Sequence, residues 1–143
     1  MALRGVFIGI NKHSDPRVPE LTGATKDAIA LWALFKDSVQ GIVDRRLLDE
    51  EATAASIRDA LNESLGQATQ DDTVVIFFAG HGTRGHELVP FDTDMDAVAQ
   101  TAIPMEELAD LLKNTTARAS LIILDCCFSG GAPARVTGSP GGW

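Results

Sequence analysis

The sequence predicts an α/β fold with a mostly parallel central sheet covered by helices on both faces. Two observations predict it. Apolar, β-branched runs alternate along the chain with stretches of helical periodicity, which calls for right-handed crossovers and parallel strands. One run, Thr73–Ala79, is apolar at almost every position and is bounded by Asp71–Asp72 and Gly80, as in a strand buried on both faces.

The elements follow in order. Leu3–Ile10 is rich in β-branched residues and ends at Asn11, so it reads as a strand entering a loop, His13–Thr22. From Gly23, the residues Ala24, Ala28, Leu31, Trp32 and Phe35 recur at helical spacing over about four turns. Arg46–Leu48 is a short strand, and Thr53 caps a second helix that turns Ile57, Leu61 and Leu65 to one side. After the Thr73–Ala79 strand comes a third helix, with Pro104 as its first helical residue, Glu106 and Glu107 in its first turn, and Met105, Leu108, Leu111 and Leu112 as its apolar face. Leu121–Cys126 is the fourth strand. The expected organisation is a single catalytic domain over 1–130 and a flexible Gly/Pro-rich tail or inter-subunit linker over 131–143.

Composition narrows the function classes. The chain has 143 residues, 45% apolar and 22% charged, which suits a globular domain with a real core. No apolar run approaches a membrane span, and the amino terminus lacks the features of a signal peptide. A net charge of −8 opposes non-specific binding to nucleic acid or anionic lipid. The cysteines, Cys126 and Cys127, are adjacent and cannot build a disulfide framework, which points to reduced thiols in a cytoplasm. With His13, His81 and His86 they reproduce no zinc-ligand spacing, and Gly80–Gly85 lacks the Lys-Ser/Thr of a phosphate loop. No metal and no organic cofactor are expected.

Two strand ends carry chemistry. The third strand runs into Gly80-His81-Gly82 and the fourth into Asp125-Cys126-Cys127-Phe128-Ser129-Gly130, and in a parallel sheet both ends share one rim, where sites form. A thiol is only a few per cent ionised at neutral pH, so a nearby imidazole is the natural proton acceptor for a cysteine nucleophile. Either residue alone reads as ordinary structure; together at two strand ends they read as a catalytic pair, His81 and Cys127.

These residues resemble the caspase/metacaspase family in three places. Phe77-Phe78-Ala79-Gly80-His81-Gly82-Thr83 is similar to its histidine motif. Leu124-Asp125-Cys126-Cys127-Phe128-Ser129-Gly130 is similar to the metacaspase D-S-C-x-S-G motif, with Cys126 in the Ser position. Leu21-Thr22-Gly23-Ala24-Thr25-Lys26-Asp27-Ala28 resembles the opening of the first helix. The resemblance implies a caspase-like three-layer α/β/α sandwich, incomplete in this chain, and peptide-bond hydrolysis by a bacterial cysteine endopeptidase. His81 and Cys127 are then the catalytic residues, and the backbone N–H groups of Gly82 and Cys127 the oxyanion hole. Leu21 stands where true caspases carry the arginine that binds an acidic substrate residue. Asp27 and Asp125 stand where metacaspases carry acids that bind a basic one. Cleavage after Arg or Lys is implied, because two carboxylates favour a bound guanidinium and repel an acid.

The resemblance further implies a protein or peptide substrate, a small-subunit portion or sensor module outside this chain, and a role in regulated stress, defence or cell death. Calcium activation is known in the family, but its ligands are not identifiable here. Arg135 is a candidate processing site. The alternative is an inactive caspase-fold interaction module, which would have no chemical need for His81 with Cys127. A flavodoxin-like ligand-binding domain ranks third, since Asn11 and Gly80 stand where it would need acids.

Overall fold

The computed structural model describes residues 2–126 and the backbone of Val136–Thr137. Its main sheet has five strands in the order β2-β1-β3-β6-β7: β1 (Leu3–Gly9), β2 (Val43–Leu48), β3 (Thr73–Ala79), β6 (Ala119–Asp125) and β7 (Val136–Thr137). The first four are mutually parallel, and β7 runs antiparallel to β6, pairing Val136 with Ile123 and Thr137 with Ile122. A second, two-stranded sheet pairs β4 (Glu87–Leu88) with β5 (Ile103–Pro104). The helices are α1 (Ala24–Ser38), α2 (Ala54–Leu61), a short α3 (Val98–Thr101) and α4 (Met105–Asn114).

Strand parity divides the core into two layers. Even-numbered Val6, Ile8, Val74, Ile76, Phe78, Ile122 and Leu124 pack with Ile57 and Leu61 of α2, Leu65 just beyond it and Leu108 of α4. Odd-numbered Phe7, Phe77 and Ala79 pack with Ala24 and Ala28 of α1, with Leu31, Trp32 and Phe35 half-buried beside them. Helices thus cover both faces, and the apolar continuity of Thr73–Ala79 records that each side of β3 is buried.

The change of face follows from topology. The chain leaves β1 through α1 to reach β2 on one side, then returns through α2 to β3 on the other side of β1. Right-handed crossovers in opposite directions must lie on opposite faces. The strand order therefore reverses between β1 and β3, and their carboxyl ends open the crevice where α/β sheets bind ligands.

Several local expectations are corrected. Pro104 is not the first helical residue of α4: its extended backbone (φ −62°, ψ 138°) makes it the N-cap, and it pairs with Glu87 as part of β5. The β2 strand starts at Val43, earlier than Arg46, because pairing with β1 recruits polar residues that have no apolar signal. Strand β6 spans Ala119–Asp125, displaced from Leu121–Cys126 by its register against β3. Helix α2 stops at Leu61 and passes into a wider π turn, Asn62–Gly66, that still buries Leu65. The Thr53 cap is present, its side chain accepting the Ser56 N–H.

Candidate active site

His81 lies two residues beyond the end of β3. The register pairs Ala79 with Asp125, and the Gly80 N–H donates to the Asp125 carbonyl at 3.3 Å, so the ends of β3 and β6 are locked side by side. Cys127 falls outside the described residues; in sequence it follows Asp125 by the same two positions that separate His81 from Ala79. Arg135 and the rest of 127–135 and 138–143 also lie outside them.

The imidazole of His81 is oriented by a group that no motif signals. Its Nε2 is 2.6 Å from the Pro19 carbonyl oxygen, and a carbonyl can only accept, so Nε2 carries the proton. Nδ1 is then the basic nitrogen. Pro19 belongs to the irregular segment between β1 and α1, which passes over the rim because β1 ends beside β3. The same segment supplies His13, whose ring centroid is 5.5 Å from that of His81. Neither ring nitrogen of His13 has a hydrogen bond of good geometry. Burial, then the neighbouring His81, lowers its pKa, so at neutral pH His13 is an uncharged wall against the His81 ring.

Gly82 follows within an isolated antiparallel bridge to Leu88. The two bonds around that bridge belong to its neighbours: Val89 N–H to the His81 carbonyl at 3.1 Å and Thr83 N–H to the Glu87 carbonyl at 2.9 Å. Gly82 is the non-hydrogen-bonded residue between them, so its own N–H is directed away from β4.

Asp27 and Asp125 come from different elements and meet. Asp125 closes β6 at an odd position, on the α1 face, and Asp27 sits in the first turn of α1. Burial first, then hydrogen bonding and charge repulsion from Asp27, raise the pKa of Asp125. Asp27 and Asp125 therefore lie within interaction distance of each other at the carboxyl end of β6. Helix α1 is held there by Asn11, whose side-chain oxygen accepts the Ala24 N–H at 2.9 Å while its amide donates to Thr25 Oγ1 at 2.7 Å. Asn11 thus does the capping work that Gly23 cannot, tying the end of β1 to the helix that carries Asp27.

Cys126 is 7% exposed and belongs to the even-numbered core layer. Its thiol faces α2 and α4, the side opposite Asp125. Among the described residues no three His, Cys, Asp or Glu side chains are arranged to hold a metal ion. The carboxylates of Asp15, Asp94 and Asp96, which do gather, surround the Arg17 guanidinium. No helix among the described residues is long and apolar enough to cross a membrane.

A family model described as a caspase domain matches residues 3–141. Metacaspase-7 of Arabidopsis thaliana is 27% identical over 145 residues, an alignment that covers 92% of this chain and 36% of the plant protein. A crystal structure of a protein from Geobacter sulfurreducens superposes with a TM-score of 0.72 at 20% identity, covering 92% of this chain and 52% of that one. The chain thus spans about a third of the curated relative and about half of the structural one.

Proposed function

The chain belongs to the caspase-domain family of cysteine peptidases, and from that premise we propose that it hydrolyses peptide bonds after Arg or Lys, with Cys127 as nucleophile and His81 as general base. The observation that carries the reading is the locked pair of strand ends, with a histidine whose Nε2 proton is held by Pro19 and a cysteine motif that begins at the register partner of Ala79.

In the proposed reaction His81 Nδ1 takes the Cys127 thiol proton and the thiolate attacks the substrate carbonyl carbon. The oxygen of the tetrahedral intermediate gains negative charge and is met by the Gly82 and Cys127 N–H groups. Collapse breaks the C–N bond, the leaving amine takes the proton from His81, and a thioester remains. His81 then takes a proton from water, the hydroxide adds to the thioester carbonyl, and collapse releases the carboxylic acid while the proton returns to sulfur. No step passes through a metal or cofactor. Cys126 is the less suitable nucleophile because the core holds it on the far side of β6.

The basic preference is supported by the contact of Asp27 with Asp125, since a guanidinium relieves their repulsion and an acidic side chain adds to it. The wider reading, a cytoplasmic enzyme of stress, defence or cell death completed by strands or a sensor outside this chain, rests on family analogy. Positional peptide libraries with the full-length protein test the core of it. His81→Ala and Cys127→Ala should each abolish turnover, Cys126→Ser should retain most of it, and the library should select Arg or Lys at the cleaved position. Full activity of Cys127→Ala, or selection of Asp, would overturn the reading.

A further inference from the structure

The loop that carries the Pro19 carbonyl is tied on one side by Leu21 N–H to the Asn11 carbonyl at 2.9 Å and on the other by an electrostatic clasp. Pro19 is exposed, and its carbonyl is held against His81 by nothing in its own side chain. Two residues earlier, Arg17 is clasped by three carboxylates. Its Nε and one terminal nitrogen bond the two oxygens of Asp15 at 3.0 and 2.8 Å, the other terminal nitrogen bonds Asp96 at 2.8 Å, and Asp94 lies at 3.5 Å. Asp15 is itself fixed, its side chain 8% exposed and accepting the Met95 N–H at 2.9 Å and the Arg17 N–H at 2.9 Å.

This clasp joins two loops far apart in sequence. Ser14 N–H donates to the Phe91 carbonyl at 2.9 Å, and the 91–96 loop is fastened in turn by Phe91 N–H to the Ala52 carbonyl and by Asp92 to the Ala54 N–H, both at 2.9 Å. Between Arg17 and the base the chain has little freedom. Pro16 and Pro19 fix φ at two positions, Val18 N–H closes a turn on the Asp15 carbonyl at 3.1 Å, and the Val18 side chain is buried. Where the clasp places Arg17, a stiff turn places the Pro19 carbonyl.

We propose that Arg17 is a positioning residue for the catalytic base: by clasping Asp15, Asp94 and Asp96 it holds the Pro19 carbonyl on His81 Nε2–H and so keeps Nδ1 the proton-accepting nitrogen. Isolated surface ion pairs contribute little to stability, but here a two-pronged Arg–carboxylate pair sits within a network, which gives a fixed direction rather than a large energy. The expected consequence concerns rate. An unclasped loop lets the imidazole swing or change tautomer, and a displacement of about 1 Å in a reacting group costs on the order of a hundredfold in rate.

The inference rests on His81 being the base, so the test separates the two. In the full-length enzyme Arg17→Gln should lower kcat by about ten- to a hundredfold with KM changed less than about threefold, and Arg17→Lys should recover part of the loss. In the inactive Cys127→Ala background, the His81 Nε2–H proton resonance, protected by Pro19, should broaden or vanish in Arg17→Gln. Asp94→Asn with Asp96→Asn removes two arms of the clasp without touching Arg17 and should reproduce the kcat loss; it carries the test if Arg17→Gln does not fold. Wild-type kcat and an intact Nε2–H signal in the folded variants would overturn the clasp and leave the base assignment standing. Full activity of His81→Ala would overturn both.

Discussion

At the scale of single residues, the site is a set of deliberately mismatched charges. Burial, then hydrogen bonding and charge repulsion from Asp27, hold the pKa of Asp125 above the usual carboxylate value. A bound guanidinium would oppose those causes and favour the ionised form of Asp125. Affinity for an Arg ligand should therefore fall as pH drops through the raised pKa of Asp125. The inhibition constant of a peptide with Arg at the cleaved position, followed from neutral to acid pH against one with a neutral residue there, checks this. The Arg peptide should show an extra acid limb that disappears in Asp125→Asn. Parallel profiles for the two peptides would mean that the carboxylates do not meet the side chain. The Asp27 and Asp125 positions were legible through the motif, but their contact was not: nothing in local periodicity reports that the first turn of one helix meets the end of a strand nearly a hundred residues later. Pro19 and His13 were illegible for a related reason. A carbonyl has no sequence signature, and His13 reads as an ordinary loop residue until topology lays that loop across the end of β3.

At the scale of elements, the placement of α1 decides whether the two acids meet, and Gly9 decides the placement of α1. A Cβ on Gly9 would lie 2.6 Å from the Ala24 carbonyl oxygen and 2.7 Å from the Ala28 Cβ, so the helix could not stay where it is. Gly9→Ala should destabilise the fold by about 1–3 kcal/mol, the usual range for overpacking a tight contact. It should also weaken discrimination between Arg and neutral substrates, because the displacement carries Asp27 away from Asp125. Urea unfolding and the ratio of the two kcat/KM values measure both effects; a stability loss with unchanged discrimination would show that α1 shifts without moving its first turn. The long elements were readable from the sequence because each has a period that burial imposes: the even and odd residues of β3, the Thr53 cap, the stripe of α4. The short ones were not. Strands β4 and β5 have two residues each, and α3 has four, lengths over which no period can repeat. They exist because the bridge beside Gly82 needs a partner strand, which is a tertiary demand.

Across the whole molecule, stability and function sit at opposite ends of the same parallel strands. At the amino ends, Asp72 accepts the Thr69 N–H at 2.9 Å, the Arg4 Nε–H at 3.1 Å and the Ala2 N–H at 3.1 Å, which lowers its pKa to about 2. A carboxyl whose folded pKa lies below its unfolded value contributes stability that is fully present above the unfolded pKa, near 4, and is lost as pH falls towards 2. At the carboxyl ends Asp125 has the opposite sign. Its folded pKa is raised, so its contribution is favourable only below the unfolded value and is lost as pH rises through the raised one. Ionisation of Asp125 therefore opposes folding. Paired substitutions should separate the two ends. Asp72→Asn should lower the melting temperature at pH 7, flatten its decline between about pH 4 and pH 2, and leave substrate preference unchanged. Asp125→Asn should raise the melting temperature at pH 7, with a gain that fades on acidification, while turnover of Arg substrates falls. Melting curves across that pH range, read beside kcat/KM for an Arg peptide, decide the matter. If Asp125→Asn melts at or below the wild-type temperature at pH 7, the two carboxylates do not repel in the folded protein, and the receptor for a basic side chain must be built from other residues.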